Sequence, residues 1–262
     1  MADVQTKMNT KYKLTDEKIR IGNSVLYRIE ALKSFLDIEV GDIGGYIESE
    51  ANLSFEDGDD CWVYDNALVF NDSVVSGDAI VCGYAWVYEN SVVKDTAIVT
   101  GSSKVHGNAQ VIENCQIYGN SDVAGNSMVS GNAEIYGNAR LRGNAKVYCN
   151  SKVYGNSWIY ENGEVYDNAE VKGNAQVLGE AWVYGHAKVL EDVRLLGKIS
   201  VFDNAILVGN GWYESEDRVT WSDRNYTCTQ FMANDRLNHC LFEYINGRFY
   251  YEPISMTSKK EV

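Results

Sequence analysis

The stretch GNAEIYGNARLRGNAKVYCNSKVYGNS, residues 131–157, repeats one six-residue phrase with small changes. Each phrase holds an aliphatic residue, Gly two positions later (Cys in one phrase, at Cys149), Asn three positions later and a small residue four positions later. The positions between them vary freely. A fixed frame around variable letters predicts a structural repeat, in which the fixed letters set the backbone and the variable letters form the exterior.

The same phrase extends far beyond this stretch. It can be cut into 25 consecutive hexads from Trp62 to Gly211, with no insertion or deletion. The aliphatic place is always filled, Gly occupies its place in 15 hexads and Asn in 16. The small place holds Ala, Ser, Gly or Cys except at Val193 and Ile199. The repeat is therefore one continuous unit.

These columns predict short strands joined by corners. The small residue and the next aliphatic residue are two apart, so both point to the same side of a strand, and the residue between them points outward. Gly and Asn tolerate the positive φ that a sharp corner needs. We therefore predict an all-β fold, a single-stranded parallel β-helix of about eight triangular coils, roughly 40 Å long at about 4.8 Å per coil.

Three hexads per coil place every eighteenth residue in one column. The asparagines then form three columns, in which side-chain amides can hydrogen-bond along the stack as in cross-β structures. These columns are Asn108-Asn126-Asn144-Asn162, Asn114-Asn132-Asn150-Asn168 and Asn120-Asn138-Asn156-Asn174.

The ends of the chain depart from the repeat, and three regions follow: 1–61, 62–211 and 212–262. In the first, KYKLT and SVLYRIEAL predict strands that cap the first coil, a partial coil is expected to begin near Tyr46, and FEDGDDC is expected to loop out. In the last, RVTWS, YTCTQFM and HCLFEY-INGR-FYYE predict a small antiparallel β unit with a hairpin at Asn246-Gly247. We expect this unit to cap the helix and mediate association.

The repeated V-x-G-N-A-x phrase resembles the hexapeptide-repeat, left-handed parallel β-helix proteins, in particular the YdcK-like group and its phage and prophage relatives. The segment SVLYRIEALKSF…GDIGGYIESEANLS followed by CWVYDNA is similar to the entry segment of that group. The resemblance covers roughly residues 11–211. It implies the left-handed winding, which the general preference for right-handed crossovers would not predict.

Composition restricts the ligands. The net charge of −14 argues against direct nucleic-acid binding, which needs clustered Lys and Arg, although mimicry of DNA is an alternative. No apolar run reaches membrane-spanning length and the first residues lack an apolar signal segment, so we expect a soluble cytoplasmic protein. The six cysteines have no metal-finger spacing, and we expect structural thiols, no metal and no cofactor.

Catalysis is the alternative function that the resemblance raises. Many hexapeptide-repeat β-helices are acyltransferases, in which a histidine near an extruded loop acts as general base on acyl-CoA or nucleotide-sugar substrates. This chain has His106, His186 and His239, and none lies on an insertion in the repeat. A general base needs a partner and a pocket that excludes water, and we expect a smooth prism to offer neither.

Outward aromatic residues recur at one-coil spacing. They can stabilise the sheet by ladder packing, form a protein-binding surface, or mediate self-association as a dimer or trimer. The candidate residues are Tyr118, Tyr136 and Tyr154 on one face, Tyr148, Tyr166, Tyr184 and Phe202 on another, the outward Trp158 and Trp182, and Trp212, Trp221, Tyr244, Phe249 and Tyr250 in the C-terminal region.

The sequence thus predicts a non-catalytic rod that binds a protein partner encoded by the host. The prophage resemblance implies a more specific hypothesis, a phage-encoded inhibitor of a host defence protein such as a nuclease. An acyltransferase-like enzyme is the alternative.

Overall fold

The structure is a computed structural model that describes residues 8–215, 218–219, 240–245 and 248–253. Its centre is a parallel β-solenoid of about nine turns, built from strands that are mostly two residues long. Each strand pairs in parallel with the strand eighteen residues later, as in Ile98↔Gln116 and Val99↔Ile117. The predicted three-hexad coil and all-β class are confirmed.

Three parallel sheets form the sides of the prism and are named here by their strands. Face 1 comprises Trp62–Val63, Ile80–Val81, Ile98–Val99, Gln116–Ile117, Glu134–Ile135, Lys152–Val153, Glu170–Val171, Lys188–Val189 and Ile206–Leu207. The solenoid strands of face 2 are Ile43–Ile47, Leu68–Val69, Trp86–Val87, Lys104–Val105, Asp122–Val123, Arg140–Leu141, Trp158–Ile159, Gln176–Val177, Arg194–Gly197 and Trp212–Ser215. Face 3 comprises Val74–Val75, Val92–Val93, Gln110–Val111, Met128–Val129, Lys146–Val147, Glu164–Val165, Trp182–Val183, Ser200–Val201 and Arg218–Val219.

The interior contains only the aliphatic and small columns. The aliphatic residues from Val63 to Val201 are fully buried, and the Ala and Ser residues of the small column are buried beside them. A buried Ser is tolerated in place of Ala because its hydroxyl donates to the carbonyl three residues earlier, as Ser121 does to Tyr118 at 3.0 Å. The narrow core therefore accepts Ala and Ser interchangeably.

Every corner turns through a residue with positive φ. A Cβ at Gly137 would lie 2.9 Å from the nitrogen and oxygen of Gly155 in the next coil, so the corner has little space for a side chain. Most corner residues that are not Gly are acidic: Asp65, Glu89, Asp95, Glu113, Glu161, Asp167, Glu191 and Asp203. The Glu113 carboxylate accepts the N–H of Gly131 at 2.6 Å, and that of Asp65 accepts the N–H of Gly83 at 3.0 Å. An acidic residue thus offsets its backbone strain with a hydrogen bond to the next coil.

The three predicted asparagine columns are present. Each amide Nδ2 donates to the Oδ1 of the asparagine eighteen residues later, for example Asn108 to Asn126 at 2.9 Å and Asn138 to Asn156 at 2.9 Å. The column that contains Asn120 and Asn138 continues from Asn174 to Asp192 at 2.7 Å. The corners are therefore bonded to one another along the whole central part of the rod.

The N-terminal region forms an antiparallel cap that continues face 2. Strands β1 (Tyr12–Ile21) and β2 (Ser24–Ala31) are antiparallel, and β2 pairs with β3 (Ile43–Ile47), which pairs in parallel with Leu68–Val69. A single 3-10 turn, Glu50–Asn52, follows β3. The partial coil predicted near Tyr46 is confirmed, because Tyr46 pairs with Leu68, twenty-two residues later, and the four additional residues lie in the loop before Trp62.

The cap also buries groups that the repeat alone would leave exposed. Trp62 occupies an outward place but is fully buried, with its ring 6.1 Å from that of Tyr12 and 5.4 Å from that of Phe35. The Lys11 ammonium donates to the carbonyl oxygens of Asp59 at 2.7 Å and Ser54 at 3.2 Å. Trp62 does not face solvent, although its place in the hexad points outward, because the cap packs over the first strand of face 1.

The parallel coil continues past Gly211. Trp212–Ser215 pairs in parallel with Arg194–Gly197, and Arg218–Val219 pairs in parallel with Ser200–Val201. The expected antiparallel strand at RVTWS is therefore wrong for Arg218–Val219. The predicted hairpin strands are confirmed as Cys240–Ile245 antiparallel to Arg248–Pro253, whereas Asn246-Gly247 and the YTCTQFM segment lie outside the described residues.

The buried column predicts the effect of a core charge. Val147→Asp would place a carboxylate in a fully buried site beside other aliphatic side chains, at a cost of several kcal/mol, on the order of the desolvation penalty of an unpaired charge. We expect loss of soluble, folded protein, measured by expression yield and circular dichroism. The adjacent Lys146→Asp on the outer surface is the control, and equal melting temperatures for the two variants would contradict the assignment of inward and outward residues.

The corner geometry predicts a ranking of substitutions at Gly137. Gly137→Val should lower the melting temperature strongly, because a left-handed backbone costs a residue with a Cβ about 1–2 kcal/mol and the β-branch adds crowding. Gly137→Asp should lower it less, since its carboxylate can accept the Gly155 N–H as Asp65 accepts that of Gly83. Thermal unfolding of both variants gives the ranking, and the reverse order would show that acidic corners are not hydrogen-bond acceptors.

Candidate functional site

The predicted tyrosine columns form stacked ladders. Tyr118, Tyr136 and Tyr154 stack on face 1 with ring centroids 4.8 and 4.5 Å apart. On face 3 the rings of Tyr148, Tyr166, Tyr184 and Phe202 stack with successive centroids 4.9, 4.9 and 5.0 Å apart. Each ring covers the face of its neighbour, so an inner ring offers a partner only its edge.

Glutamates in the next coil accept hydrogen bonds from the hydroxyl groups of three ladder tyrosines. The Tyr118 hydroxyl donates to Glu134, and those of Tyr154 and Tyr148 donate to Glu170 and Glu164. Burial and the Glu134 carboxylate raise the pKa of Tyr118 to about 12. Each ladder therefore has hydroxyl groups that are already bonded to glutamates of the same face.

Five large aromatic side chains of the solenoid are more exposed than the ladder rings, and one of them, Tyr84, is 65% exposed at a corner between faces 1 and 2. Trp158 is 39% exposed and Tyr160 is 41% exposed; Trp158 begins the face 2 strand Trp158–Ile159, and Tyr160 directly follows it. Trp212 is 58% exposed and lies three coils further along face 2. Trp182, 45% exposed, lies on face 3. Face 2 thus presents most of this aromatic surface.

Face 2 also holds every arginine between residues 62 and 213: Arg140, Arg142 and Arg194. The Arg140 guanidinium lies 5.2 Å from the ring centroid of Trp158, and that of Arg194 lies 5.0 Å from the centroid of Trp212. Such cation–π pairs are favourable and leave the edge of the guanidinium free to donate.

The three faces differ in how their cations are neutralised. On face 1 Lys152 pairs with Glu134 at 2.6 Å, and on face 3 Lys146 pairs with Glu164 at 2.8 Å. Within the part of the chain that the structure describes, Arg140 and Arg194 have no carboxylate partner. Face 2 therefore carries exposed positive charge on a protein of net charge −14.

A second cluster on face 2 surrounds His106. Its ring stacks on Tyr88 at 4.6 Å, which stacks in turn on Phe70 at 5.2 Å, so His106 is the third ring of an aromatic ladder. The Nε2 atom lies 3.0 Å from Oδ1 of Asp122 and 3.2 Å from the Arg142 guanidinium, which also binds Asp122. The expectation that this histidine lacks a partner is wrong, since the next coil supplies a carboxylate.

The environment of Asp122 sets its protonation. Burial raises the pKa of this carboxyl, but the hydrogen bond from His106 and the positive charge of Arg142 outweigh burial and hold the pKa below its usual value. Asp122 is therefore anionic over a wider pH range than a free carboxyl. The His106–Asp122–Arg142 group is an ion cluster that joins three successive coils of face 2.

The remaining predicted residues are placed as follows. His186 occupies an exposed corner. His239 and Trp221 lie outside the described residues, and Tyr244, Phe249 and Tyr250 lie in the antiparallel hairpin, where only the backbone is described. Of the cysteines, Cys115 is an inward residue whose burial raises the pKa of its thiol to about 12.

Within the described ranges, no three His, Cys, Asp or Glu side chains are grouped to hold a metal, and no helix is long and apolar enough to cross a membrane.

One known family matches part of this repeat. The model of the YdcK beta solenoid repeat family matches residues 63–77, which cover the second and third strands after the cap. The chain is YdcK-like. The match and the stacked parallel coils confirm the resemblance to the YdcK-like β-helix group. No curated protein matches the chain.

The depressed pKa of Asp122 predicts part of the acid sensitivity of this YdcK-like protein. Because the folded-state pKa lies below the unfolded value of about 3.9, Asp122 stabilises the fold above that pH, and its contribution is lost as the pH falls through the folded-state pKa. Asp122→Asn should therefore melt lower than wild type at pH 7 and lose less stability between pH 6 and pH 2. Glu191→Gln, at an exposed corner, is the control; equal acid sensitivity in wild type and Asp122→Asn would contradict the pKa assignment.

Proposed function

We propose that this protein is a non-catalytic β-solenoid rod that binds a partner protein through face 2, around Arg140, Trp158 and Tyr160. The observation that carries the proposal is the exposed Trp158–Tyr160 pair beside an arginine without a carboxylate partner. Trp, Tyr and Arg dominate binding hot spots. A rigid sheet also loses little conformational entropy on association.

The identity of the partner class follows from the resemblance to phage and prophage relatives. We extend the proposal to a phage-encoded inhibitor that acts on a host protein in the cytoplasm, for example a defence nuclease. The net charge of −14 and the carboxylates at the corners beside face 2, Asp65 and Glu191 on one side and Glu89 and Glu161 on the other, support this, since a nuclease binds a polyanion and its site attracts negative charge. Association of two or three copies through residues 212–262 would present several such faces.

One observation favours the alternative, an acyltransferase-like enzyme on an acyl-CoA or nucleotide-sugar substrate. His106 has the carboxylate partner that a general base requires. Against this role, Nε2 faces both Asp122 and Arg142, and Nδ1 lies 3.6 Å from Glu89. The Tyr88 ring covers one side of the imidazole. The binding proposal accounts for the exposed aromatic residues, which the enzyme does not use.

Affinity capture from a bacterial host lysate tests the two functions. We expect a partner retained by wild type and by His106→Ala, but depleted at least tenfold with Trp158→Ala/Tyr160→Ala, because the double variant removes the exposed aromatic anchors of face 2. Trp182→Ala on face 3 is the control of matched exposure. Circular dichroism establishes that each variant is folded.

Two outcomes would overturn the proposal. Equal capture by wild type and the Trp158→Ala/Tyr160→Ala variant would exclude face 2 as the binding surface. Turnover of an acyl-CoA by wild type, lost a hundredfold in folded His106→Ala, would establish the enzyme instead.

A further inference from the structure

Two arginine–tryptophan pairs on face 2 are built alike. In each pair the arginine occupies the first position of a strand and the tryptophan the same position one coil later, Arg140 with Trp158 and Arg194 with Trp212. The guanidinium-to-centroid distances are 5.2 and 5.0 Å. The pairs are three coils apart, about 14 Å at roughly 4.8 Å per coil.

We propose, resting on the proposed function, that these two pairs bind an extended acidic segment of the partner, with one carboxylate at each arginine. Neither arginine has a carboxylate partner among the described residues, although Lys146, Lys152 and Lys188 on the other faces pair with glutamates one coil away. An arginine stacked on tryptophan keeps its N–H edge for a bidentate carboxylate contact. The tryptophan limits water around that contact and strengthens it.

The spacing selects the conformation of the bound segment. An extended chain advances about 3.3–3.4 Å per residue, so about four residues span the 14 Å between the pairs. Residues four apart in an extended chain point to the same side, which places both carboxylates against the face. A helix would need about nine or ten residues for the same distance.

The surroundings favour a carboxylate segment over a nucleic acid. Acidic corners border the two pairs: Glu161 and Glu180 on one side of face 2, and Glu191 and Asp192 on the other. A strand of closely spaced phosphates would meet these carboxylates, whereas two isolated carboxylates fit along the centre of the face. The acidic edges therefore select against polyanions.

A peptide series on the full chain tests the inference. Twelve-residue fluorescent peptides carry two glutamates two, three, four, six or ten residues apart in a constant Ser/Thr/Gln background, and binding is measured by fluorescence anisotropy at 50 mM salt. We expect the tightest binding at a spacing of four. Replacing either glutamate by glutamine in that peptide should weaken binding at least tenfold.

Charge variants locate the two contacts. Arg140→Glu and Arg194→Glu should each weaken the four-spaced peptide at least tenfold, while Lys188→Glu, the same charge change on face 1, should leave binding within twofold. Trp158→Ala and Trp212→Ala should weaken it, and Trp182→Ala should not. No peptide binding, an optimum at a spacing other than four, equal effects of Lys188→Glu, or tighter binding of a twelve-residue oligothymidylate would each overturn the inference.

The failure of this inference is distinguishable from failure of the proposed function. If lysate capture depends on Trp158 and Tyr160 but the peptides bind without regard to spacing or arginine, face 2 binds a partner by another chemistry. If capture does not depend on face 2 at all, the proposed function itself is wrong.

Discussion

The backbone hydrogen bonds between successive coils are the constraint on which this structure depends. Strand amides donate to the next coil, as Ile98 does to the carbonyl of Cys115 at 3.0 Å, and so do corner amides, as Asn138 does to Gly155 at 2.6 Å. Because strand and corner alike are bonded to the next coil, an inserted residue would break the register of a whole side. This explains an uninterrupted repeat, the absence of proline from it, and corners restricted to Gly, Asn, Cys or an acidic residue.

The hydrogen bonds between coils also determine where the charged side chains lie on the surface. Acidic side chains are useful at corners, where they accept an N–H from the coil above, and so the negative charge is concentrated along the edges of the prism. The flat faces hold the stacked rings and the cations. On faces 1 and 3, Glu134, Glu164 and Glu170 each pair with a lysine and accept a tyrosine hydroxyl. On face 2, Arg140 and Arg194 lie on tryptophan instead. The candidate site therefore differs from the other faces because its two exposed arginines have no glutamate partner.

Much of the fold was predictable because the period fixes position. Knowing that residues eighteen apart are neighbours gives the inward columns, the asparagine stacks and the tyrosine ladders directly. The same rule could have found that Tyr88 and His106, and Arg140 and Trp158, are neighbours in adjacent coils. Those pairs join different residue types, however, and so do not stand out as columns. The end of the coil was predicted too early, at Gly211, because Gly and Asn are absent from the sequence between Tyr213 and Val219. These two residues nevertheless keep the six-residue spacing of the inward column, and the parallel pairing continues. The burial of Trp62 depends on the cap, which has no repeat from which to read its packing.

We propose that the partner binds face 2 and not faces 1 and 3. Hydroxyl-radical footprinting of the free protein and of its purified complex measures this residue by residue. We expect oxidation of Trp158, Tyr160 and Trp212 to fall several-fold in the complex, while oxidation of Trp182 on face 3 stays unchanged. Protection of Trp182 with no change at Trp158 and Tyr160 would contradict it.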